Sequence, residues 1–164
     1  MSTVHNSIVV FGATGRMGRR VAALSASVGA QTVAAVARNG SGALGTRVEG
    51  CESPVCAASE VRAGRVVIDF SSPHGVEEAS ALAERLGAAL VSGTTGLTES
   101  AAERLRQASR RVAVMWSPNM SPGVAAVARA AAALARDLGP EYQAGIVEAH
   151  HRAKKDAPSG TALR

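Results

Sequence analysis

The chain has 164 residues, of which 46% are hydrophobic and 2% aromatic, and its formal net charge is +5. This length allows one domain with a hydrophobic core, or one domain and part of a second. No apolar run is long enough to span a membrane, and the N-terminal residues lack the pattern of a secretory signal peptide, so we expect a cytoplasmic protein.

Short apolar strands alternate with helices through the first two-thirds of the sequence. We predict strands at residues 7–11, 32–36, 66–70, 89–92 and 112–116. The spacing of apolar residues predicts helices at 17–28 and 76–86, and a further helix that Thr98 caps, with Glu99 in its first turn. This alternation is typical of parallel βαβ units, so the predicted fold is α/β with a doubly wound parallel sheet.

A segment rich in proline and glycine, SPNMSPG at residues 117–123, interrupts the alternation. Such a segment predicts a hinge or domain boundary, which divides the chain into residues 1–118 and 119–164. In this second part we predict an alanine-rich helix at about 124–138 and a strand at 143–149.

Three glycines, Gly12, Gly15 and Gly18, stand between the first strand and the helix that follows it, in VVFGATGRMG. Glycines allow a tight turn and a close approach of the backbone to a pyrophosphate, while the helix N-terminus supplies free N–H groups. This context predicts a Rossmann-type dinucleotide site; a glycine-rich turn that binds nothing is the alternative.

The residues after the second strand indicate which dinucleotide to expect. Ala37-Arg38-Asn39 stands where an NAD enzyme usually has a carboxylate for the ribose hydroxyls. Arg38 can pair with a 2′-phosphate, which favours NADPH over NADH; an ordinary exposed arginine is the alternative. Gly93-Thr94-Thr95-Gly96 follows the fourth strand at the edge where open α/β sheets bind ligands. We expect this loop to contact the nicotinamide side of the cofactor; a turn that binds nothing is the alternative.

Histidines and lysines are concentrated in EAHHRAKKDAPSGTALR, residues 148–164. Histidine can donate a proton near neutral pH, and lysine can hold an anion. Pro158-Ser159-Gly160-Thr161 is typical of a helix start, whose open N–H groups form a nest for a carboxylate. The cluster therefore predicts reduction of an anionic, unsaturated substrate; a solvated basic tail is the alternative.

Metal and nucleic-acid sites are not indicated. The two cysteines, Cys51 and Cys56, lack the spacing of zinc ligands, and we expect no disulfide in a chain without export signals. The low aromatic content leaves few side chains to stack on bases. A phosphate-bearing cofactor and an acidic small molecule explain the positive charge.

Four motifs together resemble the dihydrodipicolinate reductase (4-hydroxy-tetrahydrodipicolinate reductase) family: GATGRMG, GTTG, SPNMSPGV and EAHHRAKKDAPSGTAL. The resemblance covers nearly the whole chain, and its most specific part is His-His-x-x-Lys-x-Asp-x-Pro-Ser-Gly-Thr. It implies NAD(P)H-dependent reduction of 4-hydroxy-tetrahydrodipicolinate to tetrahydrodipicolinate, in the diaminopimelate and lysine pathway. It also implies that residues 1–118 bind the dinucleotide. Residues 119–164 would then form the hinge and the start of an incomplete α+β domain for substrate binding and oligomerisation.

The resemblance implies roles for individual residues. His150 would be the general acid, with Lys154 as a second proton donor or charge stabiliser. Substrate would be held by His151, Gly160 and Thr161. The residues implied to line the cofactor are Gly12, Ala13, Thr14, Gly15, Arg16, Met17, Arg38, Gly93, Thr94, Thr95, Ser117, Pro118, Asn119 and Met120. No metal is implied.

The sequence departs from the family in two ways. The position before Arg38, often acidic in the family, is Ala37, which leaves NADPH as the favoured cofactor. The family also continues beyond the Ser-Gly-Thr motif, with strands that complete the substrate domain and build a homotetramer. We therefore expect this chain to be a fragment, a truncated gene product, or one half that needs a partner chain to complete it.

Two alternative functions remain open. A module that binds NADPH without turnover would result if the incomplete second domain were inactive. A short-chain dehydrogenase or epimerase also opens with Gly-Ala-Thr-Gly-x-x-Gly, but such enzymes use a Tyr-x-x-x-Lys pair. The chain's single tyrosine, Tyr142, is followed four residues on by Ile146.

Overall fold

The computed structural model of the chain describes residues 6–150, 152, 158, 159 and 162. The chain divides into two compact units, residues 1–116 and 117–164. In the described part, no helix is long and apolar enough to cross a membrane.

The first unit is an α/β unit built on a parallel sheet. Its strands are β1 (Ser7–Phe11), β2 (Gln31–Val36), β3 (Val66–Asp69), β4 (Ala89–Ser92) and β5 (Val114–Trp116). Its α-helices are α1 (Arg16–Leu24), α2 (Pro73–Leu86) and α3 (Glu99–Ala108). The sheet order is β2-β1-β3-β4-β5, and every neighbouring pair is parallel. The predicted parallel α/β fold is confirmed.

Helices pack on both faces of this sheet. Val9 and Val10 are neighbours on the central strand β1 and are fully buried on opposite faces, because side chains alternate along a strand. Val9 shares a core cluster with Val67 of β3 and Leu82 of α2. Val10 shares the other cluster with Ala22 of α1. The sheet is therefore doubly wound, and its central strands are mostly apolar because both faces are covered.

Local sequence determines where two of these helices begin. The Thr98 hydroxyl accepts a hydrogen bond from the Ala101 amide at 3.2 Å and caps α3, as predicted. Ser72 caps α2 in the same way, accepting from the Gly75 amide at 3.2 Å, with proline at the first helical position. Helix α2 therefore begins three residues earlier than the apolar spacing predicted.

The first predicted helix is shorter than expected. Helix α1 ends at Leu24, and residues 25–28 form a tighter 3₁₀ turn. The Ser25 hydroxyl donates to the Ala22 carbonyl at 2.8 Å and accepts from the Thr32 hydroxyl at 3.0 Å. These bonds tie the end of α1 to β2, and serine hydroxyls that bond to nearby carbonyls compete with regular helix geometry.

The second unit contains one long helix, α4 (Pro122–Leu138), among its described residues. Ser121 caps it by accepting from the Val124 amide at 3.4 Å. The predicted helix is confirmed, with its start two residues earlier. The strand predicted at 143–149 is wrong, because these residues have no regular secondary structure. A strand needs a neighbouring strand for its backbone hydrogen bonds, and the described part of this unit contains none.

Candidate functional site

The carboxyl ends of β1 and β3 form the place where a ligand is expected in this fold. The strand order reverses between these two strands, since β1 has β2 on one side and β3 on the other. Open α/β sheets bind ligands at such a reversal, outside the carboxyl ends of the strands. The loops that follow β1, β3 and β4 meet there.

Gly12 turns the chain sharply at the end of β1. Its φ is +77°, and the amides of Gly12 and Ala13 both donate to the Val36 carbonyl, at 3.0 and 3.1 Å. A Cβ at Gly12 would lie 2.7 Å from the Phe70 carbonyl oxygen, so only glycine fits between the ends of β2 and β3. The loop is thus fixed to the strands on both sides of β1.

Gly18 brings the first turn of α1 against the same loop. A Cβ there would overlap the Gly12 carbonyl oxygen and lie 2.7 Å from the Ala13 Cα. The Arg19 side chain adds a hydrogen bond from Nε to the Thr14 carbonyl, at 3.0 Å. The helix therefore starts directly at the end of β1, as a dinucleotide-binding turn requires.

The N-terminus of α1 is open to a ligand. Gly15 occupies the N-cap position and has no side chain to cap the helix. Within the described part of the chain, the amides of Arg16, Met17 and Gly18 have no hydrogen-bond acceptor. Free amides together with the positive end of the helix dipole attract an anion, and Gly15 leaves room for a phosphate to approach the backbone.

Arg38 stands exposed just beyond β2. The residue before it, Ala37, is buried, and its amide donates to the Cys56 carbonyl at 3.1 Å. The Arg38 carbonyl accepts from the Ser41 amide at 3.1 Å, which turns the chain after the arginine. Among the described residues the Arg38 guanidinium has no hydrogen bond or ion pair, so it is available to a phosphate group.

A buried carboxylate that sequence reasoning missed connects the loops after β3 and β4. Asp69 is fully buried. Its Oδ1 accepts hydrogen bonds from the backbone amide and hydroxyl of Ser71. Its Oδ2 accepts from the hydroxyls of Ser92, at 2.6 Å, and Thr94, at 2.8 Å. The available signal was an aspartate ending an otherwise apolar strand, with hydroxyl residues after it and after the next strand.

The loop Gly93-Thr94-Thr95-Gly96 is held from two directions. The Gly93 amide donates to the Asp69 carbonyl at 2.8 Å, and a Cβ at Gly93 would overlap the Phe70 ring. From β5, Trp116 Nε1 donates to the Thr94 carbonyl at 2.9 Å. The Thr94 hydroxyl is buried and occupied by Asp69 and Ser71, whereas Thr95 is exposed.

Residues 117–120, predicted to line the cofactor, form a turn that leads into α4 in the second unit. The Ser117 hydroxyl donates to the Asn119 carbonyl at 2.8 Å, and the Asn119 side chain accepts from the Ser121 amide at 2.9 Å. Ser117, Pro118 and Asn119 are half-buried, and Met120 is 39% exposed. Their role toward a cofactor stays a prediction.

The candidate proton donor, His150, is hydrogen-bonded to the carboxylate of Glu148. Its Nε2 is 3.0 Å from Glu148 Oε2, and Glu148 Oε1 accepts from the Ser159 amide at 2.8 Å. Hydrogen bonds from the hydroxyl and amide of Ser159, and then from His150, lower the pKa of Glu148 to about 2. The Glu148 carboxylate is therefore ionised at neutral pH.

Ser159 is buried and occupies the position predicted for a helix cap. Its hydroxyl accepts from the Ala162 amide at 3.2 Å, and its carbonyl accepts from the same amide at 2.9 Å. His151, Lys154, Gly160 and Thr161, which were predicted to act with His150 or to hold substrate, lie outside the described residues. Their roles stay predictions.

The two cysteines lie along the outer edge of β2, where Cys51 is bridged to Thr32 and Cys56 to Val36. Cys51 is buried, Cys56 is half-buried, and both are free thiols. Burial, followed by the nearby Glu60 carboxylate, raises the pKa of the Cys56 thiol, so this thiol is a poor nucleophile at neutral pH. In the described part of the chain, no group of histidine, cysteine or carboxylate side chains is arranged to hold a metal ion.

Two family models match the chain one after the other. The model described as "Dihydrodipicolinate reductase, N-terminus" matches residues 6–120. The model described as "Dihydrodipicolinate reductase, C-terminus" matches residues 123–164. Together they leave only the N-terminal residues and the boundary between the two models unmatched.

Curated relatives named 4-hydroxy-tetrahydrodipicolinate reductase are similar over almost the whole chain. The protein of Myxococcus xanthus is 43% identical over 172 aligned residues, which cover 95% of this chain and 62% of the relative. That of Nitratidesulfovibrio vulgaris strain DP4 is 39% identical over 160 residues, covering 96% of this chain and 61% of the relative. The chain thus spans about three-fifths of the length of these relatives.

Two solved structures are similar to this chain in fold. A dipicolinate-bound dihydrodipicolinate reductase from Paenisporosarcina sp. TG-14 superposes with a TM-score of 0.67 at 25% identity, over 96% of this chain and 63% of that one. The WlbA dehydrogenase from Thermus thermophilus, in complex with NAD and α-ketoglutarate, gives 0.54 at 16% identity, over 78% of this chain and 47% of that one. This second likeness concerns the fold alone.

Proposed function

The chain belongs to the dihydrodipicolinate reductase family, and from this membership we propose that it carries out the NAD(P)H-dependent reduction of 4-hydroxy-tetrahydrodipicolinate to tetrahydrodipicolinate in the diaminopimelate and lysine pathway. The structural observation that supports the cofactor part of the proposal is the open N-terminus of α1, where Gly15 leaves three amides without an acceptor in the described part of the chain. Nothing in the described part favours a module that binds the cofactor without turnover.

The residues after β1 fit a dinucleotide. Gly12 and Gly18 hold the turn tight, and Gly15 leaves the space in which a pyrophosphate reaches the amides of Arg16 and Met17. When bound, the nicotinamide supplies the two electrons of the reduction as a hydride. The further residues that we propose to line the cofactor are Ala13, Thr14, Arg38, Gly93, Thr94, Thr95, Ser117, Pro118, Asn119 and Met120.

NADPH is the proposed preferred cofactor, with NADH as the other. The exposed guanidinium of Arg38 supports this preference, since it stands just after β2, where the adenosine ribose lies in this kind of fold. A carboxylate at Ala37 would serve the ribose hydroxyls of NADH, but that residue is an alanine and is buried.

The proposed chemistry divides between proton delivery and substrate binding. His150 gives a proton to the substrate, assisted by Lys154, while His151, Gly160 and Thr161 hold its carboxylates. The 4-hydroxyl group of the ring leaves as water. Overall, one NAD(P)H and one proton are consumed, and one NAD(P)⁺ and one water are released, so atoms and electrons balance.

The proposal includes the setting in which the enzyme works. The partner is a small cyclic dicarboxylate rather than a nucleic acid or a membrane, and the assembly is the family's homotetramer when the protein is full-length. We propose residues 1–118 as the dinucleotide domain and 119–164 as the hinge and start of the substrate domain. The proposed location is the cytoplasm.

Two measurements on one preparation test this function. NADPH oxidation is followed with freshly prepared 4-hydroxy-tetrahydrodipicolinate, and NADPH binding is titrated by fluorescence. Substrate-dependent oxidation that His150→Gln lowers while binding holds would support the proposal. Binding without oxidation would favour the non-catalytic module, and the absence of both would overturn the proposed function.

A further inference from the structure

One carboxylate joins the two halves of the candidate substrate site. Glu148 contacts His150, two residues away, through Oε2, and Ser159, eleven residues away, through Oε1. The side chains of Glu148 and His150 are 27% and 42% exposed, so both remain open to a ligand. Among the described residues, Glu148 alone accepts from both segments of this cluster.

We propose that Glu148 is a positioning residue, which fixes the tautomer of His150 through Nε2 and anchors the Ser159 turn that precedes the predicted carboxylate nest. This inference rests on the proposed function, because His150 is its proposed general acid. Glu148 itself is not proposed to exchange a proton with the substrate.

The tautomer follows from the charge on Glu148. An ionised carboxylate has no proton to donate, so the hydrogen bond at 3.0 Å requires the proton to be on His150 Nε2. The proton then taken up and released must be the one on Nδ1. A carboxylate that fixes one ring nitrogen in this way orients the imidazole, as orienting carboxylates do beside catalytic histidines.

The anchoring of Ser159 follows from the other oxygen. Ser159 uses its hydroxyl and carbonyl to accept from the Ala162 amide, so its own amide needs a partner outside this turn. Glu148 supplies that partner at 2.8 Å. Because Ser159 is buried, an amide left without an acceptor there destabilises the turn. A single carboxylate therefore fixes the tautomer of His150 and anchors the turn at Ser159.

Glu148→Gln separates the two contacts. The glutamine oxygen can still accept from the Ser159 amide, but its NH₂ group donates to His150 Nε2 and so moves the ring proton to Nδ1. We expect ¹⁵N NMR at alkaline pH, where neutral imidazoles prevail, to show the Nε2–H tautomer in the unchanged chain and Nδ1–H in this variant. The His150 signals are assigned by their loss in His150→Gln. Glu141→Gln, at an exposed acid with no described side-chain bond, is the matched control.

Kinetics separates a positioning role from a merely structural one. We expect Glu148→Gln to lower kcat by about 10–100-fold, with KM and NADPH affinity within about twofold and with the Ser159 amide still slow to exchange. Glu148→Ala should, in addition, speed exchange of the Ser159 amide and raise KM. An Nδ1–H tautomer in the unchanged chain, or Glu148→Gln with an unchanged kcat while His150→Gln lowers it, would overturn the inference.

The two proposals fail differently. If His150→Gln leaves kcat unchanged, or if the chain has no turnover, the proposed function loses its acid. The tautomer and the exchange rate of the Ser159 amide still decide what Glu148 does. If the tautomer does not shift in Glu148→Gln and turnover is normal, the positioning role of Glu148 is wrong, while the proposed reductase function still stands.

Discussion

The Thr94 hydroxyl donates to the buried carboxylate of Asp69 at 2.8 Å, although the two residues lie 25 positions apart in the sequence. The contact exists because β3 and β4 are parallel neighbours in which Asp69 is paired with Ser92. Asp69 ends β3 and Thr94 follows β4, so both lie at the edge of the sheet where a ligand is expected. The carboxylate therefore holds in place the loop Gly93-Thr94-Thr95-Gly96, which we propose to contact the nicotinamide side of the cofactor.

We predict that Asp69→Ala lowers both stability and NADPH affinity. The change leaves the buried hydroxyls of Ser92 and Thr94 without their carboxylate acceptor, which costs on the order of 3 kcal/mol. The free energy of unfolding comes from urea denaturation, and affinity comes from fluorescence titration. Glu49→Ala, which removes an exposed acid without a described side-chain bond, is the control and should change neither. Equal stability of the two variants would show that the buried network contributes nothing.

A second prediction concerns the close approach of α1 to the loop after β1. Gly18→Ala places a methyl group against the Gly12 carbonyl oxygen, so the helix must shift away. We expect a loss of about 1–3 kcal/mol in the free energy of unfolding and at least about tenfold weaker NADPH binding. Gly42→Ala is the control, because a Cβ there meets no atom within 4 Å. Unchanged NADPH affinity in Gly18→Ala would place the pyrophosphate elsewhere.

The sequence predicted the parts of this molecule that local chemistry determines. The strands follow from short apolar runs, the start of α3 follows from Thr98, and the turn at Gly12 follows from its spacing to Gly15 and Gly18. These features depend on residues close together in the chain. The order of the strands requires long-range packing, which periodicity alone does not supply.

The features that the sequence did not predict depend on distant partners. In the sequence, Asp69 is one residue of a predicted apolar strand. Only the pairing of β3 with β4 brings its carboxylate to the hydroxyls of Ser92 and Thr94. The sequence predicts a strand at 143–149 that includes Glu148, but a segment forms a strand only where another strand takes up its backbone hydrogen bonds. Its contact with Ser159 spans eleven residues and has no periodic signal.

The third prediction tests the cofactor preference. Arg38→Ala should remove most of the preference for NADPH over NADH, because a guanidinium–phosphate hydrogen bond is worth roughly 1.5–3 kcal/mol, or about 10–100-fold in affinity. Both affinities are measured by titration on the unchanged and substituted chains. Arg110→Ala removes an equal charge after α3 and should leave the ratio as it is. If the unchanged chain binds both dinucleotides equally, the assignment of Arg38 is wrong.

The last prediction concerns an ion pair that joins α2 to α3. Arg104 donates from Nη1 to Glu84 Oε1 at 2.7 Å and from Nη2 to Oε2 at 2.9 Å. Hydrogen bonding from Arg104 lowers the pKa of Glu84 below its ordinary value of 4.5. Because the folded state lowers this pKa, the pair stabilises the fold above pH 4.5, and the contribution is lost as pH falls further through the lowered pKa.

Glu84→Gln should therefore lower the free energy of unfolding by about 1 kcal/mol near neutral pH, since both side chains are largely covered and the contact is bidentate. Urea denaturation of the two chains at a series of pH values measures the difference, which should shrink toward zero on the acid side of pH 4.5. Glu78→Gln, on the same helix but without a described side-chain bond, should show no such trend. A difference that stays constant as the solution is acidified would mean that the lost charge is not the cause. Packing of the altered side chain between α2 and α3 would then account for it.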